Sequence, residues 1–340
     1  MNSCKKNTLK VLTGICLLTI NAMLNSVHAE HVHERPDAHA PIGVMGDHIM
    51  NKGEIMLSYR YMKMEMDGNR TGTDSVSTPL PGFMVSPLSM DMEMHMLGAM
   101  FAATDKLTLS MMVPVISLSM DHIVNMNNAE FTTESDGLGD ITLATVYQLT
   151  NSKNSNLLLN FGVSVPTGSI DEKDDLPVTM GVPVQLPYPM QTGSGTYDIT
   201  PGLTYTSLYT GWSWGAQGLY TYRSGTNDNG YSLGNRLNIS AWFAKTLSHS
   251  FSMSARLNAH DWENVDGSDT TLSPMPTVPT KNPELRGGSR VDALLGMNYV
   301  AHGWDNVRFA FEVGAPIYQD LNGPQLETDL VFTLGTQYTF

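Results

Sequence analysis

The sequence predicts an all-β chain, a transmembrane antiparallel β-barrel of about twelve strands with short periplasmic turns and long extracellular loops. Three observations predict it. The chain opens on an export segment, it then repeats stretches of about ten residues that alternate apolar with polar or small side chains, and the connections between those stretches alternate short and long.

The export segment comes first. Lys5, Lys6 and Lys10 precede an apolar run over 11–20, and Val27-His28-Ala29 makes a small-residue exit. This reads as a secretory signal peptide over 1–29, cleaved before Glu30. Its apolar run is too short for a membrane span, which needs about 20 residues. Cys4 and Cys16 both fall inside it, and Ile15 stands where a lipoprotein cleavage box needs a small residue. The expected mature chain has no cysteine and no lipid anchor. A His-containing periplasmic segment is expected over 30–53, and the barrel over 54–340.

Cleavage leaves 16 of the 19 basic side chains against all 33 acidic ones, a net charge near −17. That balance excludes nucleic acid as a partner, which requires a basic footprint. It suits acidic outer loops that attract cations. No apolar run after residue 29 is long enough for a helical span.

Alternation places strands near 54–66, 90–103, 106–120, 138–150, 155–166, 197–209, 211–223, 233–247, 249–262, 289–301, 306–318 and 328–340. The short links are Thr104-Asp105, 151–154, Thr210, Ser248 and 302–305. Between them fall the long ones, 67–89, 121–137, 167–196, 224–232, 263–288 and 319–327. Such strict alternation belongs to outer-membrane barrels, and a soluble sandwich has no reason to keep it.

Successive side chains of a strand point to opposite faces, which assigns the two surfaces. Leu157, Leu159, Phe161, Val163 and Val165 should meet lipid, with Leu158, Asn160, Gly162 and Ser164 inward. Val307, Phe309, Phe311, Val313 and Ile317 should likewise face out, with Arg308, Ala310, Glu312 and Gly314 inward. Trp212, Trp214, Tyr220, Tyr222, Phe243 and Tyr299 lie near strand ends, where aromatic girdles belong. The last strand carries Leu330, Phe332, Leu334, Tyr338 and Phe340 on one face. Its Gly335, Tyr338 and Phe340 are spaced like the terminal signal read by the barrel-assembly machinery of Gram-negative outer membranes.

Three stretches carry a family resemblance: Gly137-Leu138-Gly139-Asp140, Val165-Pro166-Thr167-Gly168, and Gly193 through Asp198 (GSGTYD). In this order they resemble the outer-membrane family named for the MetA pathway of phenol degradation, from about Pro41 to Phe340. The resemblance implies a barrel and the uptake of small aromatic compounds.

Twenty-one methionines remain after processing, and they cluster. Met62, Met64 and Met66 alternate along the first strand and Met90, Met92, Met94 and Met96 along the second, so each set shares one face. Leu57, Tyr59 and Tyr61, and Leu97, Ala99 and Phe101, make the better lipid faces, which sends the methionines inward near the extracellular rim. Asp91, Glu93 and His95 take the outward parity. Thioethers favour Cu(I) and Ag(I), so Met62, Met64, Met66, Met92, Met94 and Met96 with His95 form a candidate soft-metal site. The ordinary alternative is methionine as an adaptable apolar filler. His31, His33, His39 and His48 near the mature start suit Cu(II) or Zn(II), or form a solvated tail.

Arg256, Arg290, Asp292, Arg308 and Glu312 fall on inward parities of neighbouring strands. They read as a paired structural network, or as a constriction that selects what passes. No enzyme signature stands out. Ser248-His249-Ser250 sits in a turn, Asp171, Glu172, Asp174 and Asp175 form an acidic outer loop, and phosphate-loop and His-Glu-x-x-His motifs are missing. The expected function is passage of a small solute, aromatic or metal-related, across the outer membrane. The alternative is a barrel that holds copper or silver at a methionine-rich mouth without transport.

Overall fold

The structure, a computed structural model, describes residues 35–177, 179, 181–272, 277–304 and 307–340. The expected signal peptide with both cysteines, and His31 and His33, lie outside the described residues. The strands are β1 (Ile55–Gly72), β2 (Asp74–Val76), β3 (Val85–Thr104), β4 (Leu107–Val124), β5 (Glu130–Leu138), β6 (Ile141–Ser152) and β7 (Ser155–Val165). After the two-residue β8 (Lys173–Asp174) and β9 (Val184–Gln185) come β10 (Tyr197–Tyr209), β11 (Trp212–Ser224), β12 (Tyr231–Ser232), β13 (Arg236–Ser248), β14 (Phe251–Trp262), β15 (Asp266–Gly267), β16 (Gly288–Ala301) and β17 (Val307–Thr339).

Eleven of these continuous strands follow one another as an antiparallel meander, and β17 pairs with β1 to close the ring. β2 and β5 pair outside that path, on β1 and β4. An all-antiparallel ring needs an even number of passes, and β17 supplies the twelfth by doubling back. Its residues 307–321 run against β16 and its residues 321–339 against β1. The two arms lie side by side: the rings of Phe311 and Phe332 are 5.3 Å apart, and Arg308 Nη1 donates to Gln337 Oε1 at 2.6 Å. The expected twelve passes are present. The expected loop at 319–327 is a tight reversal that stays in the sheet, because Leu321, Gln325 and Leu326 still pair with β1 and Gln319 bonds Thr328 across the two arms.

The expected loop 67–89 shrinks for a related reason. β1 and β3 continue to Gly72 and back from Val85, far beyond the 9–11 residues that cross hydrocarbon. The sheet therefore stands well above the membrane on that side. Outward charges are tolerated there, and they pair: Lys63 Nζ lies 2.9 Å from Glu65 and 3.6 Å from Asp91.

The face assignments hold. Leu159, Phe161, Phe309 and Ile317 are exposed on the outside, while Leu158, Asn160, Arg308, Ala310 and Glu312 are buried inside. Tyr209, Trp212 and Phe243 stack in series near the periplasmic turns, with ring centroids 4.2 and 5.7 Å apart. Tyr338 and Phe340 are exposed on the lipid face with rings 5.5 Å apart. Gly335 points the other way, where a Cβ would press on Arg60 Cγ at 3.1 Å and Ile42 Cδ1 at 3.3 Å.

Candidate functional site

The inner wall carries Asn160, Ser213, Gln217, Ser252, Asn298, Arg308 and Glu312, all buried and all polar. Polar side chains facing a lumen need partners, because a buried unpaired donor or acceptor costs about 1–3 kcal/mol. The partner here is the chain's own amino-terminal segment. Ser252 Oγ and Asn298 Nδ2 donate to the Pro36 carbonyl at 2.8 and 3.2 Å, and Arg308 Nη2 to that of Ala40 at 2.6 Å. Gln217 Nε2 donates to the Met45 carbonyl at 2.7 Å, and Asn160 Nδ2 to that of Gly46 at 2.8 Å. Ala40 and Val44 pack on the inward Trp242.

Residues 35–50 thus fill the periplasmic half of the lumen as a plug. The expectation of a segment lying in the periplasm is corrected for these residues. The reason is physical: a chain without regular structure can be buried only where something satisfies its backbone, and the polar inner wall does that.

The predicted lumen charges hold this plug or pair with one another. Arg256 grips Glu312 through Nε to Oε1 at 2.8 Å and Nη2 to Oε2 at 2.7 Å, and the Gly43 amide donates to Glu312 Oε2 at 3.2 Å. Further toward the outside, Asp292 takes Arg290 Nε at 2.9 Å, and His260 Nε2 lies 3.5 Å away. Of the two readings, the paired network is the one that the geometry displays.

The methionines do meet. Cross-strand register sets Met62 opposite Met94, Met64 opposite Met92, and Met66 opposite Met90, and Cβ atoms of such pairs stand about 4.5–5.5 Å apart. Met120 faces Met90 from β4. His95 does not join them. It is exposed on the opposite face of β3, its Nδ1 is 2.8 Å from the Tyr59 hydroxyl, and it packs beside Tyr61. Strand alternation separates it from the thioethers, which corrects its inclusion in the candidate soft-metal site. Met64 is committed in another way: Arg290 Nη1 and Thr328 Oγ1 both lie 3.7 Å from its sulfur.

The methionine wall is covered from above. Leu186 and Met190, in the loop between β7 and β10, pack with Met90, Leu118 and Met120, with Met66 and Met92 at the edge of the cluster. Between them in sequence, Tyr188 packs with Tyr231, Val265 and Leu272. The short 3-10 turn Tyr188–Met190 therefore bridges from the methionine wall to the outer loops after β11 and β14.

That loop is tied at its base by the three stretches that carry the family resemblance. Asp140 accepts from the Gly168 amide at 3.0 Å, from the Ser194 amide at 2.8 Å and from the Ser194 hydroxyl at 2.7 Å. Thr167 Oγ1 donates to the Gly139 carbonyl at 2.8 Å. Gly168 and Gly193 cross so closely that a Cβ on either would fall within 2.8 Å of the other's backbone. The motifs are one knot in space, spread over 137–198 in sequence.

A family model described as "Putative MetA-pathway of phenol degradation" matches residues 92–273, which include the whole knot. The chain belongs to this phenol-degradation MetA family. No curated protein sequence matches the chain. Among solved structures, the COG4313 outer membrane channel from Pseudomonas putida F1 is similar at 13% identity and a TM-score of 0.62, over 86% of this chain and 98% of that one. The transport unit of the autotransporter AIDA-I from Escherichia coli aligns at 12% identity and a TM-score of 0.46, over 85% and 91% of the two chains. A FadL homologue from Pseudomonas aeruginosa aligns at 12% and 0.40, over 91% and 93%. The MetA-family chain thus has the fold of an outer-membrane β-barrel.

At the periplasmic neck of the plug, His39, Asp47 and His48 come together. His48 Nδ1 is 2.8 Å from Asp47 Oδ1, and Asp47 Oδ2 accepts from the Ala40 amide at 2.8 Å. Burial by itself raises the Asp47 pKa, but the charge and hydrogen bond of His48, followed by the charges of His39 and Arg308, bring it well below the usual carboxylate range. Sequence reasoning named both histidines and missed Asp47. The adjacency of Asp47 and His48 was the available signal. Ser248-His249-Ser250 forms a periplasmic turn in which His249 stacks on His302 with centroids 4.2 Å apart. Two of the four carboxylates of the acidic outer loop accept from amide donors, Asp174 from the Glu134 backbone and Asp171 from Asn229.

Proposed function

We propose that this protein is an outer-membrane channel for a small solute whose lumen is held shut by its own amino-terminal segment and opens when that segment moves. One observation carries the reading: the plug is fixed chiefly by single hydrogen bonds between its backbone and wall side chains of β7, β11, β14, β16 and β17. Each neutral bond contributes only about 0.5–1.5 kcal/mol net, and the one from the Arg308 guanidinium about 1.5–3 kcal/mol; water can replace them. A plug so held can leave without unfolding the barrel.

Planar-bilayer recordings test this. The mature protein should show rare, brief openings, and a variant lacking residues 35–50 should conduct steadily. If the shortened barrel folds and stays silent, the channel reading is lost.

The family name and the mixed lining of methionine, apolar and polar groups favour a small aromatic solute. Vesicle-swelling rates with phenol-sized solutes against sugars of similar mass test that choice. Equal rates would remove the aromatic preference. The opposed methionine pairs favour a second reading, retention of Cu(I) or Ag(I) by Met62, Met64, Met66, Met92, Met94 and Met96. Arg290 beside Met64 weighs against it, since a guanidinium repels a cation at that sulfur. The thioethers also line the inner wall under Leu186 and Met190, so a metal held there would sit inside rather than on the surface.

A further inference from the structure

We propose that His39, Asp47 and His48 bind one divalent late-transition-metal ion, of the class of Zn(II) and Cu(II), and that this ion clasps the neck of the luminal plug. One imidazole nitrogen from each histidine and one carboxylate oxygen lie within 4.8 Å of one another. The two imidazoles meet edge to face with centroids 4.6 Å apart.

Two imidazoles and a carboxylate are the donor set of open three-ligand zinc sites, and imidazole suits zinc and copper far better than it suits hard cations. A tetrahedral ion about 2.1 Å from each donor sets the donors about 3.4 Å apart. Movements of about an ångström bring these three to that spacing. The hydrogen bond from the Ala40 amide stays on Asp47 Oδ2, the outer-shell arrangement that orients a ligating carboxylate, while Oδ1 exchanges its 2.8 Å contact with His48 Nδ1 for the ion.

Room for a fourth donor is present. A cavity of about 190 Å³ is bounded by His39, His48, Met50, Glu54, Met56 and Arg308. Met50 and Met56 bring two buried thioethers there. A larger cavity of about 510 Å³ reaches the same three ligands past the periplasmic turn residues Asp105 and Lys153. The ion therefore has a path from the periplasm.

The placement gives the ion a structural consequence. His39 lies before Gly43 and Asp47-His48 after it, and Gly43 is the point where the plug docks on Glu312. An ion shared by these side chains cross-links the two legs of that turn, and metal binding in a flexible segment is ordering free energy. Bound metal should lock the plug, and its loss should loosen it. The site stands whether or not the lumen conducts an aromatic solute.

The test uses the full mature chain in detergent with His31→Gln and His33→Gln, which removes the other two amino-terminal histidines. Zn(II) is titrated against a chromogenic chelator. One ion per chain is expected, with affinity falling by about 100-fold or more when His39→Gln and His48→Gln are added, since even loss of an outer-shell partner costs about 10–100-fold. Changing Met62, Met64, Met92 and Met94 to Leu should leave the affinity unchanged. Unchanged affinity in the His39/His48 variant overturns the site. X-ray absorption of the Zn(II)-loaded protein that retains His39 and His48 decides the matter even if that variant misfolds: imidazole scattering is expected, and a shell without it overturns the proposal. Hydrogen exchange over residues 38–48 should slow when Zn(II) is present, and equal exchange with and without it refutes the clasp.

Discussion

Gly43→Ala is the smallest change that should unseat the plug. A Cβ at this position would stand 2.5 Å from Glu312 Oε2 and 3.0 Å from Arg256 Cζ. Real Cβ atoms do not come that close to such atoms, so one side must yield. The wall pair cannot yield cheaply. Both side chains are buried, at 6% and 0% exposure, and they share two short hydrogen bonds. Breaking such a pair costs about 3–5 kcal/mol, because a buried charge is left without its partner. Backing the plug away loses the Gly43 hydrogen bond and some packing, an overpacking cost of about 1–3 kcal/mol. The plug should therefore move. At tenfold per 1.4 kcal/mol, the undocked population rises about 5–150-fold. Bilayer recordings should show the open fraction rising in that range, and hydrogen exchange over residues 36–47 should accelerate with it. Gly218→Ala is the control, since a Cβ there meets nothing within 4 Å. If both variants match the unmodified protein in open fraction and exchange, docking at Gly43 does not control the lumen.

Asp140→Ala should untie the loop between β7 and β10 by removing the acceptor of three hydrogen bonds, a loss of roughly 2–4 kcal/mol. Protease cleavage within 167–196 should speed up while the barrel keeps its heat-modifiable mobility, and an unchanged cleavage rate would contradict the knot. His122, above the membrane on β4, has its pKa lowered by burial to about 4 from 6.5. The unfolded chain then takes up a proton that the folded one refuses, so the stability present above pH 6.5 is lost progressively as pH falls toward 4, by up to about 3 kcal/mol. Urea unfolding at pH 7.5 and 4.5 should show this difference, and His122→Gln should reduce it by about that amount. Replacing Met62, Met64, Met92, Met94 and Met96 with Leu conserves volume and should change stability by less than about 1.5 kcal/mol per site. Competition with a Cu(I) chelator on that variant separates thioether filler from ligand, since equal Cu(I) affinity in both proteins removes the soft-metal site.

Much of the wall was legible because strand alternation is a local property. The parity of Met62 and Met64 against Tyr59 and Tyr61, or of Leu158 against Leu159, can be read from neighbouring residues alone. The same parity shows that His95 and the methionines part company, since one residue of offset crosses the sheet. The plug was not legible in the same way. Residues 36–47 have no period, and their partners Ser213, Gln217, Ser252, Asn298 and Arg308 lie more than 170 positions away. What did show was a wall with unmet polar demand: several strands each place an Asn, Gln or Ser inward, and something polar has to fill that space.

The sequence by itself determined the barrel, its twelve passes, its lipid and lumen faces and the shared face of its methionines, because each follows from a period of two and from the spacing of turns. The tertiary structure decided which residues become partners. It brought 137–140, 165–168 and 193–198 into one knot around Asp140, set Arg256 on Glu312 rather than around an open constriction, and drew residues 35–50 into the lumen. Those outcomes depend on register around a closed ring, where a one-residue slip exchanges the two faces of a strand. Only closure fixes that register for every strand at once.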